Sequence, residues 1–254
     1  MTFKKNLDLN FYETNFSKNL NSNLFIDREE IKPDFFAPYL KYEKYLTSII
    51  RPNFIVLDLC VGDGIHSIIP AKLAHFYYAL EPSKSGLKIL EKRLEKENIK
   101  NYKLINSTIE EFNLNQSFDL ITIVNSISYF DKNEILRIYK NNLKKGGRII
   151  IIDSLNNNIF YKINHYFHVF KKNRTFKTIS RIFSFGKLQS FLLNFDNVEN
   201  IHFYGPFLFL KKLMYPLGMK NLYNKMAQKD QNQSIFARYS FKFLAVIKKI
   251  SDSK

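Results

Sequence analysis

Phe54-Ile55-Val56-Leu57-Asp58-Leu59-Cys60-Val61-Gly62-Asp63-Gly64 is the stretch on which the architecture turns. It opens as a short, almost unbroken apolar run, the pattern of a strand buried on both faces inside a parallel sheet. An acid, Asp58, sits near the end of the run, and small residues follow at 60, 62 and 64. At the C-terminal edge of a parallel sheet such a turn forms the ligand crevice. Glycine there lets backbone approach a ligand with no Cβ between them.

Downstream, strands and helices alternate. Ile65 to Ala74 reads as a helix and Phe76 to Leu80 as a strand ending at Glu81. Pro82-Ser83 opens a charged helix to about Glu97. Tyr102 to Asn106 and Phe118 to Val124 are the third and fourth strands. Asp131, with Glu134 three residues on, has the pattern of a capping box and starts a helix to about Leu143. Lys144-Lys145-Gly146-Gly147 reads as a stop and turn before a fifth strand, Arg148 to Asp153. Five strands joined by helices predict a doubly wound α/β sheet, because parallel strands need crossovers.

The flanks are different. Residues 1–33 are polar and Asn-rich with scattered aromatics (Phe11, Tyr12, Phe16, Phe25) and read as a helical or loose arm. From Pro33, apolar residues recur at three- and four-residue spacing until Arg51-Pro52 stops a predicted helix. After Asp153 the pattern weakens. It predicts helix over Phe183–Leu193 and within Phe207–Ala227, and late strands at Val198–Phe203 and Phe236–Ile247.

The chain has 254 residues, 45% hydrophobic and 24% charged, which fits a folded core and argues against wholesale disorder. A single cysteine, Cys60, excludes an intrachain disulfide and a Cys-rich zinc site. No apolar run reaches the roughly 18–20 residues of a membrane span. Met1 to Asp8 lacks the apolar core of a signal peptide, so a cytoplasmic location is expected. Charge is uneven. Residues 1–153 hold 22 basic and 19 acidic side chains, whereas residues 154–254 hold 17 basic and 4 acidic. The C-terminal part therefore favours an anionic partner. The Lys, Asn, Ile and Phe bias of an AT-rich gene would also supply basic residues, though it does not explain the scarcity of acids.

Two nucleotide cofactors suit the turn. A dinucleotide calls for G-x-G-x-x-G, but here Ser67 stands at the third glycine, and Asp58 and Asp63 would repel phosphates. S-adenosylmethionine carries an ammonium and a sulfonium and no phosphate, so acids help. Glu81, 23 residues after Asp58, suits the two ribose hydroxyls as a bidentate acceptor.

The stretch Phe54 to Asp153 resembles the class I S-adenosylmethionine-dependent methyltransferases, with weaker agreement to the C-terminus. The glycine-loop motif is matched by Asp58-Leu59-Cys60-Val61-Gly62-Asp63-Gly64, where the family often has glycine at 60. The ribose-binding acid is matched by Glu81 in Leu80-Glu81-Pro82-Ser83. The adenine segment is similar to Ser107-Thr108-Ile109-Glu110-Glu111-Phe112, where family members often carry Asp in place of Thr108. Phe118-Asp119-Leu120-Ile121, running on to Asn125-Ser126-Ile127-Ser128-Tyr129-Phe130, and Leu143 to Ile151 complete five ordered motifs.

The resemblance implies an α/β, doubly wound, mostly parallel seven-stranded Rossmann-like sheet with helices on both faces. It divides the chain into an N-terminal arm and helix over the cofactor (1–52), a cofactor core (53–153), and a basic acceptor-binding insertion with the final strands of the same sheet (154–254). It implies S-adenosylmethionine as cofactor and S-adenosylhomocysteine as product. Carried over by residue, the cofactor would meet Asp58, Cys60, Gly62, Asp63, Gly64, His66, Glu81, Pro82, Thr108, Ile109, Glu110, Asn125 and Ser126. Tyr12 and Phe16 of the arm would fold over it as a lid, or merely anchor the arm.

Asn125-Ser126-Ile127-Ser128 lacks the prolines common in enzymes that methylate base amino groups. The lone cysteine lies in the cofactor turn, away from where base C5 methylation would need it. No RNA-binding module is visible. A small-molecule acceptor, methylated on oxygen, is expected, and no metal. Candidates for the base are Tyr129, Asp153, His165 and His168. The last two could equally be part of an aromatic stripe with Tyr161, Tyr166 and Phe167. Lys171, Lys172, Arg174, Lys177 and Arg181 suggest a phosphorylated or nucleotide-activated sugar, such as a surface-glycan precursor. Alternatives are an RNA methyltransferase, or an enzyme weakly associated with a membrane and acting on a lipid-linked acceptor. The mixed aromatic and basic stretch Phe207 to Met214 fits the latter.

Overall fold

The computed structural model describes residues 7–22, 33–170, 175–207, 210–230 and 237–251. Seven strands form one sheet: β1 (Ile55–Leu59), β2 (Phe76–Leu80), β3 (Tyr102–Ile105), β4 (Phe118–Val124), β5 (Leu143–Ser154), β6 (Asn197–Tyr204) and β7 (Lys242–Lys248). Their order is β3-β2-β1-β4-β5-β7-β6. Strands β1 to β5 pair in parallel, and β7 runs antiparallel to both neighbours, β5 and β6. Both predicted late strands are present; the last starts later than the pattern predicts. A 3-10 turn occupies Ala237–Tyr239, and Phe236 lies outside the described residues.

The helices are α1 (Leu7–Ser22), α2 (Pro33–Ile49), α3 (Ile68–Leu73), α4 (Lys84–Lys96), α5 (Lys132–Asn142), α6 (Ile159–Phe170), α7 (Phe176–Arg181), α8 (Phe185–Leu192), α9 (Lys211–Met214) and α10 (Lys220–Asp230). The expected helix over 207–227 is broken. The break contains Pro216, whose ring cannot continue a helix, and Gly218 at φ +72°.

The continuous apolar reading of the strands is explained by burial on both faces. In β5, Ile149 and Ile151 join one core with Leu57, Leu59, Ile121 and Ile123, packed against Ile135 and Ile138 of α5. The alternating Ile150 and Ile152 join the other with Val56, Tyr77, Leu90 and Leu94, where Tyr42 and Leu46 of α2 close the layer. A side-chain period of two thus gives each isoleucine a core of its own.

Two local expectations change. Glu134 does not complete a capping box; Asp131 caps α5 by accepting from the Asn133 N–H at 2.9 Å, while Glu134 pairs with Arg137 Nε at 2.7 Å. Arg137 in turn donates to the carbonyls of Ile109 and Phe112, fixing the loop after β3. The Lys144–Gly147 turn is instead the irregular start of β5. A Cβ on Gly147 would lie 2.8 Å from the Lys144 carbonyl oxygen and 3.0 Å from that of Asp119.

Strand order reverses between β1 and β4, and there the loops at the strands' C-terminal ends part to leave a crevice. No helix among the described residues is long and apolar enough to cross a membrane.

Candidate active site

A cavity of about 270 Å³ opens at that reversal point. Its floor is the turn after β1, contributed by Cys60, Val61 and Gly62. One wall is Glu81-Pro82 after β2, another is Thr108, Ile109 and Glu110 after β3, and a third is Asn125, Ser126, Tyr129 and Phe130 after β4. α1 closes the opening with Asp8, Leu9, Tyr12 and Phe16.

The turn is built to stay bare. Cys60 and Gly62 both have left-handed backbone, at φ +55° and +59°. The Gly62 N–H donates to Glu81 Oε2 at 2.8 Å, and the Ser83 N–H donates to Oε1 at 2.9 Å. Glu81 is therefore aimed by two backbone donors, and each carboxylate oxygen keeps a lone pair for a further donor. Burial pushes its carboxyl up to about 7, against those two hydrogen bonds, with the charges of Asp63 and Glu13 adding to the rise. Burial, then the charges of Glu81, Glu110 and Asp58, push the Cys60 thiol well above its ordinary range, so it is an inert wall rather than a nucleophile.

The arm is tied on from both ends. Glu13 accepts from the hydroxyls of Ser83 and Ser85 at the start of α4, both at 2.6 Å. Asp8 accepts from the Thr175 N–H at 3.1 Å and from the hydroxyls of Thr175 and Thr178 at the start of α7. Between them, the Tyr12 hydroxyl bonds that of Tyr129, the rings meeting edge to face with centroids 5.4 Å apart. A Cβ on Gly86 would lie 2.6 Å from the Gly62 carbonyl oxygen and 3.2 Å from Phe16, so this glycine allows α4, the turn and the arm to converge.

Among the described residues the lining has three carboxylates (Asp8, Glu81, Glu110) and aromatic rings, but neither lysine nor arginine. That chemistry suits a cationic nucleoside and not a diphosphate. Ser126 supplies a buried hydroxyl oxygen that has no partner among the described residues, a group a ligand could engage.

The family model described as a methyltransferase domain matches residues 50–200. The chain belongs to that family. It is an S-adenosylmethionine-dependent methyltransferase. No curated protein sequence matches it. Among solved structures, the methyltransferase resembles the N-methyltransferase NodS of Bradyrhizobium japonicum in complex with S-adenosylhomocysteine, at 12% identity over 94% of this chain and 99% of that one, TM-score 0.60. It also resembles the geranyl diphosphate C-methyltransferase of Streptomyces coelicolor (12% identity, 94% and 98% covered, TM-score 0.59). An rRNA methylase of Streptococcus thermophilus is similar as well (16%, 87% and 99%, TM-score 0.51). At these identities the likeness concerns the fold.

Of the residues expected at the methyltransferase site, Tyr12, Phe16, Cys60, Gly62, His66, Glu81, Pro82, Thr108, Ile109, Glu110, Asn125, Ser126 and Tyr129 line the cavity. Six others do not. The buried Asp58 carboxylate faces inward and accepts from Ser67, Tyr77 and Thr122, each at 2.8 Å, bracing β1 against its neighbours. Asp63 turns to Arg93, 3.4 Å away. A Cβ on Gly64 would meet Leu90 at 2.4 Å, so this glycine serves the packing of α4 rather than a ligand. Asp153 accepts from the Ile127 N–H at 2.8 Å and shapes the loop after β4 from behind. His165 is buried in α6 and His168 half-buried on the same helix; neither reaches the cavity.

Sequence reasoning missed Tyr39 and Lys242, which support Asn125 and His66. Asn125, in left-handed backbone at φ +57°, donates to the Tyr39 hydroxyl at 2.8 Å and accepts from the buried Lys242. Tyr39 stacks on His66 at 4.2 Å between centroids. A lone lysine opening the apolar run Lys242-Phe243-Leu244-Ala245-Val246 was the available signal. The arm contacts of Asp8 and Glu13 left none, because polar residues on an arm look alike in sequence.

Proposed function

We propose that the enzyme methylates an oxygen of a small anionic acceptor, such as a phosphorylated or nucleotide-activated sugar on the way to a surface glycan. S-adenosylmethionine, when bound, supplies an electrophilic methyl group. Glu81 takes the ribose hydroxyls, the Cys60–Gly62 turn lies along the methionine portion, and Thr108, Ile109 and Glu110 take the adenine. Tyr129 orients the acceptor hydroxyl, and α1 with Tyr12 and Phe16 excludes water, so that proximity and alignment carry much of the rate. The insertion within residues 154–254 forms the acceptor side.

One observation carries the anionic assignment. Arg181 donates to the Tyr129 carbonyl at 3.0 Å, and Lys132 and Lys187 share a neighbouring open pocket with Phe183, over whose ring Lys132 Nζ lies at 4.0 Å. Burial lowers the Lys132 pKa, and the charges of Lys187 and Arg181 lower it further. Asp131 and Asp153 offset part of that repulsion at Lys132, and a bound anion would relieve the rest. Of the cluster expected from sequence, Lys171, Lys172 and Arg174 lie outside the described residues.

The test is a methyl-transfer panel of sugar phosphates, nucleotide sugars, neutral sugars and structured RNA. Turnover is expected on the phosphorylated small molecules, with the KM raised about tenfold or more in Lys132→Ala/Lys187→Ala. Equal turnover of charged and neutral sugars, indifferent to that replacement, would remove the anionic acceptor. Turnover confined to RNA would replace it.

A further inference from the structure

α6 is folded with its most apolar face outward. Tyr161 and His165 are buried against the rest of the fold, Tyr161 donating to the Gly205 carbonyl. At about 100° per residue, Ile159, Phe160, Ile163, Tyr166, Phe167 and Phe170 fall on one stripe roughly 120° wide on the opposite side. All six are exposed, from 44% for Tyr166 to 92% for Phe170. Phe176 of α7, itself 67% exposed, meets Tyr166 with ring centroids 6.1 Å apart and carries the patch onto a second helix. A contiguous aromatic surface of this kind on a water-soluble fold marks an interaction site.

Its border identifies the partner. Tyr166 and Phe176 share a half-open cleft with Lys162, Lys177 and Lys187, and no acid lines that cleft among the described residues. The surrounding residues 154–254 carry 17 basic and 4 acidic side chains. Aromatic side chains rimmed by lysines match the boundary between acyl chains and headgroups of an anionic bilayer. A second copy of the chain fits poorly, since a two-fold contact through this face would bring the same lysines together with no acid from the cleft to offset them.

We propose that α6 and α7 dock the protein on the surface of a bilayer containing anionic lipids. The α6 stripe and Phe176 enter the acyl boundary, and Lys162 and Lys177 lie on lipid phosphates. Docking of this kind requires no methyl transfer and holds for any acceptor.

The experiment is flotation of the full chain with vesicles of phosphatidylcholine alone or doped with phosphatidylglycerol. Recovery with the doped vesicles is expected to exceed that with phosphatidylcholine by about tenfold and to fall as salt is raised. Phe167→Ser/Phe170→Ser and, separately, Lys162→Glu/Lys177→Glu are each expected to abolish it while S-adenosylhomocysteine binding by calorimetry is unchanged. All four positions are exposed, and either variant alone suffices. Absence of flotation with doped vesicles would overturn the proposal. So would flotation indifferent to both variants, or a wild-type dimer that the phenylalanine replacements dissociate. Loss of methyl transfer on every acceptor with flotation intact would count against the acceptor reading and leave docking standing.

Discussion

The Glu13 carboxylate accepts the Ser83 hydroxyl at 2.6 Å, joining the N-terminal arm to the residue that caps α4, two positions after Glu81. The arm is thus fastened to the helix that follows the Glu81 wall of the cavity. Burial alone would raise the Glu13 carboxyl, but hydrogen bonds from Ser83 and Ser85 outweigh it and hold the carboxyl below the usual range. A depressed folded-state value means that the tie is complete above the ordinary carboxylate range and is lost as pH falls through it. Glu13→Ala is expected to remove roughly 1.5–3 kcal/mol of arm docking. Amide hydrogen exchange over residues 7–22 should rise, and S-adenosylhomocysteine should dissociate about tenfold faster. Unchanged exchange in α1 would show that its aromatic contacts suffice.

Ribose binding by Glu81, as proposed, would make cofactor affinity depend on pH. Its carboxyl sits near 7 because burial outweighs the two backbone donors. A ribose diol donates both hydrogens to the ionised form, so binding favours ionisation. With a value near 7, about a tenth of the free protein is ionised at pH 6, and affinity there should be about tenfold below that at pH 8. Calorimetric titration with S-adenosylhomocysteine at the two values measures this directly. Glu81→Gln should bind about 10–100-fold more weakly at pH 8 and show no such slope. Its amide nitrogen would face one of the two backbone N–H donors, leaving a buried group unsatisfied. A wild-type affinity flat from pH 6 to 8 would place the ribose elsewhere.

The sheet was legible because each strand carries its own instruction. A run such as Arg148-Ile149-Ile150-Ile151-Ile152 permits one arrangement only, burial on both faces, and the acid-glycine turn marks which end holds the ligand. What was not legible depends on tertiary direction. Asp58 and Glu81 are both acids near the ends of adjacent strands, yet Ser67, Tyr77 and Thr122 draw one inward while Gly62 and Ser83 aim the other at the cavity. Gly64 and Gly62 are two residues apart, and a leucine of α4 decides that one serves packing. His165 and His168 share a helix whose outward face is the apolar one, an inversion that periodicity detects as a stripe without saying which way it points.

Asp58 gives a stability prediction of the opposite sign to Glu13. Burial raises its carboxyl from 3.8 to about 6, despite three hydrogen bonds. The folded state then holds a proton that the unfolded chain releases near pH 4. The contribution is present below the unfolded value and is lost as pH rises through about 6, amounting to about 3 kcal/mol at 1.36 kcal/mol per unit. Asn has the same shape, and the Ser67 and Thr122 hydroxyls can rotate to accept from its amide. Asp58→Asn should therefore gain on the wild type by about 2.4 kcal/mol between pH 4 and 7. Urea denaturation of both proteins at the two values tests it, and parallel pH profiles would contradict a buried, titrating Asp58.

The acceptor-orienting role proposed for Tyr129 is testable by separating binding from turnover. Its backbone is fixed on both sides: its N–H donates to the Ser126 carbonyl at 3.0 Å, and its own carbonyl accepts from Arg181. Its ring stands edge to face against Tyr12. Tyr129→Phe keeps the ring, its packing and the loop, and removes only the hydroxyl that meets Tyr12 over the cavity. Glu81 and the glycine turn are untouched, so S-adenosylhomocysteine affinity should change by less than about threefold, a margin under 1 kcal/mol. If this hydroxyl orients the acceptor oxygen, kcat/KM for methyl transfer should fall roughly a hundredfold. Tyr12→Phe, which removes the partner hydroxyl but leaves Tyr129 its own, should lose less. Full activity in Tyr129→Phe would move the orienting role to another wall of the cavity, with Asp8 the next residue to replace, because it is the remaining ionisable lining group that the arm itself brings in.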